Sequence, residues 1–339
     1  MRSVAERSDD PARTPSANPL RRAVDAVWRP TPASLRFLAL LGVVGNAVIV
    51  ATGGAVRVTK SGLGCPTWPR CTGDSLVPTS NPDHPALNMG IEFGNRMLTF
   101  VVLAIGALVF VAALRLVPRR RELVWLALAQ PMSVVAQAVI GGIVVLTDLH
   151  PAAVAVHFLV SPALVVFCVL LWIRSGEGDA APRRVGGSAL RWLSWALVVA
   201  AGLVLVAGTV VTGSGPHAGD AEARRWNFNI ETVARVHGEL AWTLVLVTVV
   251  VLVWAVRANV PGPLRRRAVE LLAIELAQGA IGYTQYALGV PGQLVVLHML
   301  GAVVLWIAAL RVPFALRDRG PATAAAPVEA PRQEPQPAL

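Results

Sequence analysis

Charged residues are scarce in this sequence. Asp, Glu, Lys and Arg make up 15% of its 339 residues, whereas an ordinary soluble domain has about a quarter. Apolar runs of about 20 residues, the length of a helix that crosses a bilayer, recur instead. They lack the polar–apolar alternation of a membrane β-barrel. The sequence therefore predicts an all-α integral membrane protein of eight transmembrane helices, at about 36–56, 89–114, 122–146, 152–173, 190–211, 232–256, 267–288 and 293–314.

Acidic residues are fewer than basic ones, and the net charge is +10. This excess does not indicate nucleic-acid binding, because the arginines concentrate in the N-terminal tail, in every second loop and after the last helix. If the helices alternate in direction, these segments share one side, and positive charge marks the cytoplasmic side. We therefore expect a multi-pass protein of the cell membrane, in contact with the lipid bilayer, with both termini in the cytoplasm and no nucleic-acid partner.

An apolar segment of the signal-peptide kind is missing near the start, so we expect no cleaved signal. The predicted organisation is a cytoplasmic tail (1–35), a first four-helix bundle (36–173), a cytoplasmic linker (174–189) and a second four-helix bundle (190–314). Residues 315–339 are rich in Ala and Pro, which predicts a disordered C-terminal tail.

The chain contains an internal repeat. The segments "QAVIGGIVVLTDLHPAAVAVH" (137–157) and "QGAIGYTQYALGVPGQLVVLH" (278–298) align without a gap, and both begin Q-x-x-I-G and end in histidine. Likewise "VTKSG" (58–62) and "VTGSG" (211–215) each follow the first helix of a four-helix set. Because four is even, both sets enter the membrane from the same side, unlike the inverted repeats of many transporters. We predict two tandem parallel four-helix bundles, related by a pseudo-two-fold axis along the membrane normal, with cofactors between facing helices.

Histidines are few, yet His157 and His298 are equivalent by repeat. Each lies about two turns inside the outer end of the fourth helix of its half, and His237 lies at a similar depth in the second half. A lone histidine in a helix often only bonds a neighbouring helix, but ionisable groups in a membrane are costly and usually functional. Two opposed imidazoles suit a six-coordinate haem iron, whereas zinc would want four ligands. We therefore predict His237 and His298 as axial ligands of a haem.

The first half differs at the corresponding place. His157 is opposite Asn95, which is the repeat partner of His237. Asparagine is a poor iron ligand, so an iron on His157 would have an open position or a water. Glu92 shares a helix face with Asn95, and Ala234 replaces it in the second half. This asymmetry suggests that the second half holds a permanent electron-carrying haem, whereas the first half holds a group that undergoes a chemical reaction.

Several charged residues have two interpretations. Glu92 is either a catalytic or charge-stabilising carboxylate or simply an ion-pair partner of Arg96 or Arg57. Arg57, Arg96 and Arg235 lie near the outer helix ends. There, guanidinium groups either pair with haem propionates or anchor the helices at the interface.

Cysteine is also rare, with three residues in the chain. Cys168 is expected to be an inert core residue of the fourth helix. Cys65 and Cys71 share the outer loop 57–88, on an oxidising side where disulfides form. The pair is therefore a candidate disulfide, either structural or redox-active, and it makes a poor zinc site without further cysteines.

The segments "TGGAVRVTKSGLGCPTWPRC", "IEFGNR", "VVLTDLHPAAVAVHFLVS", "GTVVTGSGPHAGD", "ARVHGELAW" and "LVVLHMLGA", together with the duplication, resemble haem A synthase in its actinobacterial form. The resemblance covers about 36–314. It implies an eight-helix cytochrome b that oxidises the C8 methyl of haem O to a formyl group by successive hydroxylations, giving haem A for aa3-type terminal oxidases. The functional positions of the family fall here on the haem b ligands His237 and His298, the substrate haem ligand His157, the essential Glu92 and the disulfide pair Cys65 and Cys71.

One position departs from the family pattern. Many members have a histidine three residues after the essential glutamate, where this chain has Asn95. The substrate haem is therefore expected to be five-coordinate through His157 or ligated by water.

The resemblance implies three kinds of partner: a haem O synthase, a terminal oxidase or its assembly factors, and an unidentified electron acceptor. From the residues alone, two other functions stay open. One is a quinol-linked bis-His cytochrome b that only carries electrons, which would not need the asymmetry at Glu92 and Asn95. The other is a haem transfer protein, which would leave the methyl group intact.

Overall fold

The computed structural model describes residues 28–79, 85–260 and 262–320. Residues 1–27 of the predicted N-terminal tail and residues 321–339 of the predicted C-terminal tail lie outside the described residues. The described part contains eight long helices, each coinciding within a few residues with a predicted apolar run. They are α1 (Pro32–Val58), α2 (Ala86–Arg115), α3 (Arg121–Leu146), α4 (Pro151–Ser175), α5 (Ser188–Ser214), α6 (Ile230–Arg257), α7 (Gly262–Ala287) and α8 (Gly292–Phe314).

Within the described ranges, seven helices are long and apolar enough to cross a membrane, and α7 is the exception. Its length of 26 residues is sufficient, but Arg265, Arg266, Arg267, Glu270 and Glu275 lower its mean hydropathy. The prediction of an all-helical membrane protein is confirmed in this form. The eighth span stays a prediction.

Local sequence signals set where the helices begin. Thr31 caps α1 in a capping box, and Pro32 takes the first helical position, where the missing N–H of proline costs nothing. The ring of His150 accepts a backbone N–H at the start of α4, again with a proline, Pro151, in first position. This fixed start sets the depth of His157 on α4.

The helices pack as two closed rings. Helices α1 to α4 contact one another in sequence and α4 returns to α1, and α5 to α8 do the same. The rings meet through α1–α8, α4–α5 and α4–α8. Buried side chains from all four of these helices form the seam: Val43, Val169, Val198 and Leu310. The indole N–H of Trp306 also crosses the seam, donating to the carbonyl of Pro162 at 2.9 Å.

The arginine-rich ends of the two rings are tied together by ion pairs. Arg174, at the end of α4, is 3% exposed and pairs with Glu122 at 2.6 Å and with Glu177. Glu177 also pairs with Arg317 at 3.1 Å. Burial of Arg174 is tolerable because both neighbouring carboxylates compensate its charge.

A short sheet reinforces the same end. Strand β1 (Arg183–Arg184) in the predicted linker pairs antiparallel with β2 (Arg317–Asp318) after α8. Residues 315–320 of the segment predicted as a disordered tail therefore belong to the fold, because their backbone and Arg317 find partners near α4.

Candidate functional site

The imidazoles of His237 on α6 and His298 on α8 face each other. Their ring centres are 6.3 Å apart and their planes lie at 77°. A metal–imidazole nitrogen bond is about 2.0–2.1 Å long and the ring centre lies about 1.2 Å behind that nitrogen, so two imidazoles on opposite sides of one metal have centres about 6.4–6.6 Å apart, close to the spacing of this pair. The spacing of this pair therefore fits two axial ligands of a single haem iron.

A backbone contact orients the ring of His237. Its Nδ1 lies 3.1 Å from the carbonyl oxygen of Val204 on α5, so this hydrogen-bond pattern assigns the proton to Nδ1. The Nε2 lone pair is then available to a metal, and such second contacts are typical of histidine ligands. One turn further along α5, a Cβ built on Gly208 would lie 3.3 Å from Cε1 of the same ring. Helix α5 thus fixes the position of this imidazole through both contacts.

The rings of His157 and His298 lie against equivalent glycines. A Cβ on Gly141 would be 3.2 Å from Cε1 of His157, and one on Gly282 would be 3.4 Å from Cε1 of His298. Each glycine lets α3 or α7 approach the ring closely. The separation of the two glycines along the chain equals that of the two histidines. The internal repeat therefore includes the contact between glycine and histidine as well as the sequence.

Both of these rings have an unused polar atom. The Nδ1 atoms of His157 and His298 are buried and have no hydrogen-bond partner among the described residues. Leaving a buried polar atom unpaired costs about 1–3 kcal/mol. A group bound at this nitrogen would remove that cost, whereas a metal bound at Nε2 would leave it.

In the first half, Asn95, which corresponds to His237 in the internal repeat, already has a hydrogen-bond partner. The Oδ1 of Asn95 on α2 accepts a hydrogen bond of 2.7 Å from the hydroxyl of Thr52 on α1. Between α3 and α4, Nε2 of Gln137 donates to the hydroxyl of Ser161 at 2.6 Å and to the carbonyl of His157 at 3.1 Å. The first half thus offers one imidazole, held between α3 and α4, and a neutral amide that α1 has fixed.

Glu92 on α2 is 6% exposed, and both of its carboxylate oxygens have partners. Oε2 accepts the backbone N–H of Cys65 at 2.7 Å. Oε1 accepts from Nη2 of Arg96 at 2.6 Å and from Nε at 3.1 Å. The ion pair with Arg96 that the sequence suggested is present, whereas Arg57 points elsewhere.

Arg96 uses all five of its N–H donors. Besides its two bonds to Glu92, it donates to the carbonyls of Cys65 at 2.9 Å and of Thr67 and Arg70, both at 3.1 Å. A planar guanidinium suits this arrangement because its donors point in fixed directions. Arg96 therefore fixes Glu92 and the outer loop against one another.

The loop that Arg96 holds is closed by a disulfide between Cys65 and Cys71. Within it, the indole of Trp68 lies so close to Gly142 of α3 that a Cβ there would be 2.5 Å from the ring. The predicted disulfide is thus present, and it belongs to a loop that packs on the helices rather than extending away from them.

The three arginines proposed as propionate contacts are not in one place. Arg57, at the end of α1, donates to the carbonyls of Thr212, at 2.8 Å, and of His217, both in the second half. Arg96 is bound to the loop, and Arg235 is exposed on the second turn of α6. Of the three, Arg57 contacts both halves.

Sequence reasoning missed a second buried carboxyl group. Glu275 on α7 is 5% exposed, Thr248 on α6 is 0% exposed and Gln278 on α7 is 8% exposed. The sequence contains a signal for this buried group, because Glu275, Gln278 and Gly282 share one helix face at spacings of three and four residues. That face includes the glycine that contacts His298.

Comparison with known proteins shows which family this chain matches. The family model COX15-CtaA, described as cytochrome oxidase assembly protein, matches residues 36–310. Similar curated proteins are named heme A synthase. The one from Symbiobacterium thermophilum is 31% identical over 270 residues, covering 74% of this chain and 84% of the relative.

Other matches are shorter. The heme A synthase of Lysinibacillus sphaericus is 30% identical over 181 residues, with 52% of this chain and 57% of the relative covered. That of Halalkalibacterium halodurans is 30% identical over 140 residues, with 41% and 45% covered. In these two matches the chain spans about half the length of the relative. The family model, however, matches from α1 to α8, and the chain belongs to the COX15-CtaA family of cytochrome oxidase assembly proteins.

Proposed function

We propose that this protein is a haem A synthase, which oxidises the C8 methyl of haem O to a formyl group by successive hydroxylations. The product, haem A, would serve aa3-type terminal oxidases. The observation that carries the proposal is the 6.3 Å spacing of the His237 and His298 rings, set against the first half, where asparagine replaces one histidine of the corresponding pair. The names of the similar proteins support the same activity.

In this proposal His237 and His298 are the axial ligands of haem b. When bound, haem b supplies one-electron redox chemistry. The protein contributes orientation: the carbonyl of Val204 fixes the ring of His237, and Gly282 makes room for the ring of His298. Two fixed imidazoles would hold the haem in one position while it supplies this chemistry.

The first half is the proposed site of haem O, with His157 as its axial ligand. Asn95 lies where the second half has a histidine, and its amide oxygen is bonded to Thr52. The substrate iron would then be five-coordinate or carry a water. A single protein ligand suits a haem that must leave as product.

Glu92 is the proposed catalytic carboxylate. It is buried, and Arg96 and the N–H of Cys65 hold it in one position. A preorganised charge in a dry site stabilises charge that develops in a transition state, here positive charge at the methyl carbon of the substrate. The same carboxylate could instead position a water beside that carbon.

Haem propionates are the proposed partners of Arg57, Arg96 and Arg235. Arg57 has the most suitable location, because it already contacts both halves. Arg96 would have to exchange one of its five present hydrogen bonds for a bond to a propionate. Arg235 is exposed and open to such a contact.

We further propose that α7 is the eighth span and that the two rings are tandem parallel bundles related by a pseudo-two-fold axis along the membrane normal. The contacts between the rings support this symmetry. Exchanging the two sets of four helices turns the α1–α8 contact into the α4–α5 contact and leaves α4–α8 unchanged. The protein would lie in the cell membrane with both termini in the cytoplasm. Its proposed partners are haem O synthase, the terminal oxidase or its assembly factors, and an electron acceptor.

The test is haem extraction and mass analysis from membranes that contain this protein and a haem O synthase. The variants are His298→Ala and, as a control, His150→Ser, which replaces a surface histidine by another capping residue. We expect haem A with the intact protein and the control and none with His298→Ala. Finding only haem b and haem O, with a normal low-spin spectrum, would favour an electron carrier or a haem transfer protein.

A further inference from the structure

A carboxyl group without a cationic partner lies inside the second bundle. The hydroxyl of Thr248 donates to Oε1 of Glu275 at 2.7 Å, while Oε2 is buried and has no hydrogen-bond partner in the described part of the chain. No salt bridge among the described residues reaches Glu275. An uncompensated charge in such a place is costly. This carboxyl is therefore a candidate to gain or lose a proton when another charge nearby changes.

A buried polar side chain lies along α7 between this carboxyl and the proposed haem b site. Gln278 lies one turn from Glu275, and its amide fills the space beside Gly301 of α8, where a Cβ would be 1.3 Å from Nε2. Its Oε1 is buried and unpaired among the described residues. Gly282, one turn further, contacts His298. The helix from Glu275 to Gly282 spans about 10 Å.

The first bundle retains the glutamine, as Gln137, but lacks the carboxyl and its hydroxyl partner. Val134 corresponds to Glu275 in the alignment that pairs His157 with His298, and Gly106 corresponds to Thr248 in the alignment that pairs Asn95 with His237. Val134 is 7% exposed, so the same position is buried and apolar there. The fold does not require a carboxyl at this depth, and it occurs in the half that has two facing imidazoles.

We propose that Glu275, bonded to Thr248 and about two turns along α7 from the glycine that contacts the ring of His298, takes up a proton when an electron enters the second bundle. One proton from water binds one carboxylate oxygen as one electron arrives, and both leave on reoxidation. The charge of the bundle is then unchanged by the electron, which matters at about 10 Å in a medium of low dielectric constant. The inference rests on the proposed binding of haem b, and in the proposed reaction the electron comes from the substrate methyl.

Other titratable groups on the helices that pack against α7 are separate from Glu275. Those on α6 and α8 are Glu231, Arg235, His237, Glu239, Arg257, His298 and Arg311. Arg311 contacts Glu270 at 3.5 Å, five residues before Glu275 on α7. Among the described residues, the hydrogen-bond partner of Glu275 on these helices is the hydroxyl of Thr248.

The primary test is infrared difference spectroscopy, reduced minus oxidised, on the purified full-length protein with its haem, reduced electrochemically. We expect a carbonyl band of a protonated carboxyl group that appears on reduction and shifts in heavy water. It should disappear in Glu275→Gln and persist in Glu270→Gln, a matched variant on the same helix whose carboxylate is paired with arginines. A band that persists in Glu275→Gln would overturn the inference.

A second variant covers the case in which Glu275→Gln fails to assemble. Thr248→Val keeps the carboxyl but removes its hydrogen bond, so the band should move without being lost. A band of unchanged position would overturn the inference.

Redox titration gives an independent measurement. Proton uptake on reduction makes the midpoint potential of the haem fall as the pH rises, and this slope should be smaller in Glu275→Gln than in the wild type and Glu270→Gln. Equal slopes would overturn the inference while leaving the proposed function intact. A wild-type protein without a low-spin haem spectrum would overturn both.

Discussion

The two halves of the molecule hold repeat-equivalent histidines in the same way, but they differ in the side chain at a second equivalent position. His157 rests on Gly141, and His298 rests on Gly282, with nearly equal distances from the Cβ position to the ring (3.2 and 3.4 Å). His237 lies opposite His298 in the second half, and Asn95 is the repeat equivalent of His237 in the first. A duplicated scaffold thus provides one buried imidazole twice, the proposed axial ligand, and a single side chain decides whether a second imidazole is available.

The differences extend beyond the ligands. Beside its open position the first half has Glu92, which Arg96 ties to the disulfide-closed loop. Below its histidine pair the second half has Glu275 and Thr248. Among the described residues, each half therefore has one buried carboxyl group, but at different depths: near the outer end in the first and towards the middle in the second. This division suits a reacting site and an electron-holding site.

The sharpest way to break this comparison is to remove each equivalent histidine. We expect His298→Ala to lose the low-spin haem b spectrum and all haem A. His157→Ala should keep that spectrum, because both haem b ligands remain, but should also make no haem A. Visible spectra of the purified proteins and mass analysis of the extracted haem check both outcomes. Equal loss of the spectrum in the two variants would contradict the division between the halves.

The next largest effect is expected for Glu92→Gln. The amide keeps the shape and part of the hydrogen bonding but removes the charge. Loss of one preorganised electrostatic contact typically lowers turnover by about 100- to 1,000-fold. The ratio of haem A to haem O in membranes measures this, and the haem b spectrum should not change.

Glu231→Gln is the matched control, because Glu231 is exposed on the first turn of α6. Its product ratio should equal that of the wild type. Full turnover by Glu92→Gln would leave the carboxylate with a structural role only.

Much of this comparison is predictable from the sequence, and the limits are physical. The helices follow apolar runs because lipid admits few other backbones, and the equivalence of His157 and His298 follows from an ungapped repeat. The five bonds of Arg96 do not follow, since they depend on the path of an irregular loop that no periodicity describes. Glu275 was missed for another reason: it lies on the least apolar helix, where a single further carboxylate resembles one more exposed charge.

The comparison would be sharpened by giving the first half the ligand of the second. Asn95→His removes the bond to Thr52 and places an imidazole opposite His157. We expect the haem of the first half to change from high spin to low spin and to be retained more tightly, so that haem A release falls several-fold. Electron paramagnetic resonance counts the low-spin haems per protein. One low-spin haem in both the variant and the wild type would show that Asn95 does not lie on the open side of the substrate iron.

The smallest effect is expected where the halves are most alike. Alanine at Gly141 or Gly282 gains about 1 kcal/mol of helix propensity, but its Cβ presses on a histidine ring carbon at 3.2 or 3.4 Å. We expect the two effects nearly to cancel in thermal unfolding, with Gly141→Ala the less stable because its contact is closer.

The visible spectra should separate the two variants more clearly than thermal unfolding. Gly282→Ala is expected to displace the ring of His298, a proposed haem b ligand, and to shift the low-spin bands slightly, whereas Gly141→Ala should leave them in place. A band shift with Gly141→Ala and none with Gly282→Ala would mean that the halves have been assigned the wrong way round.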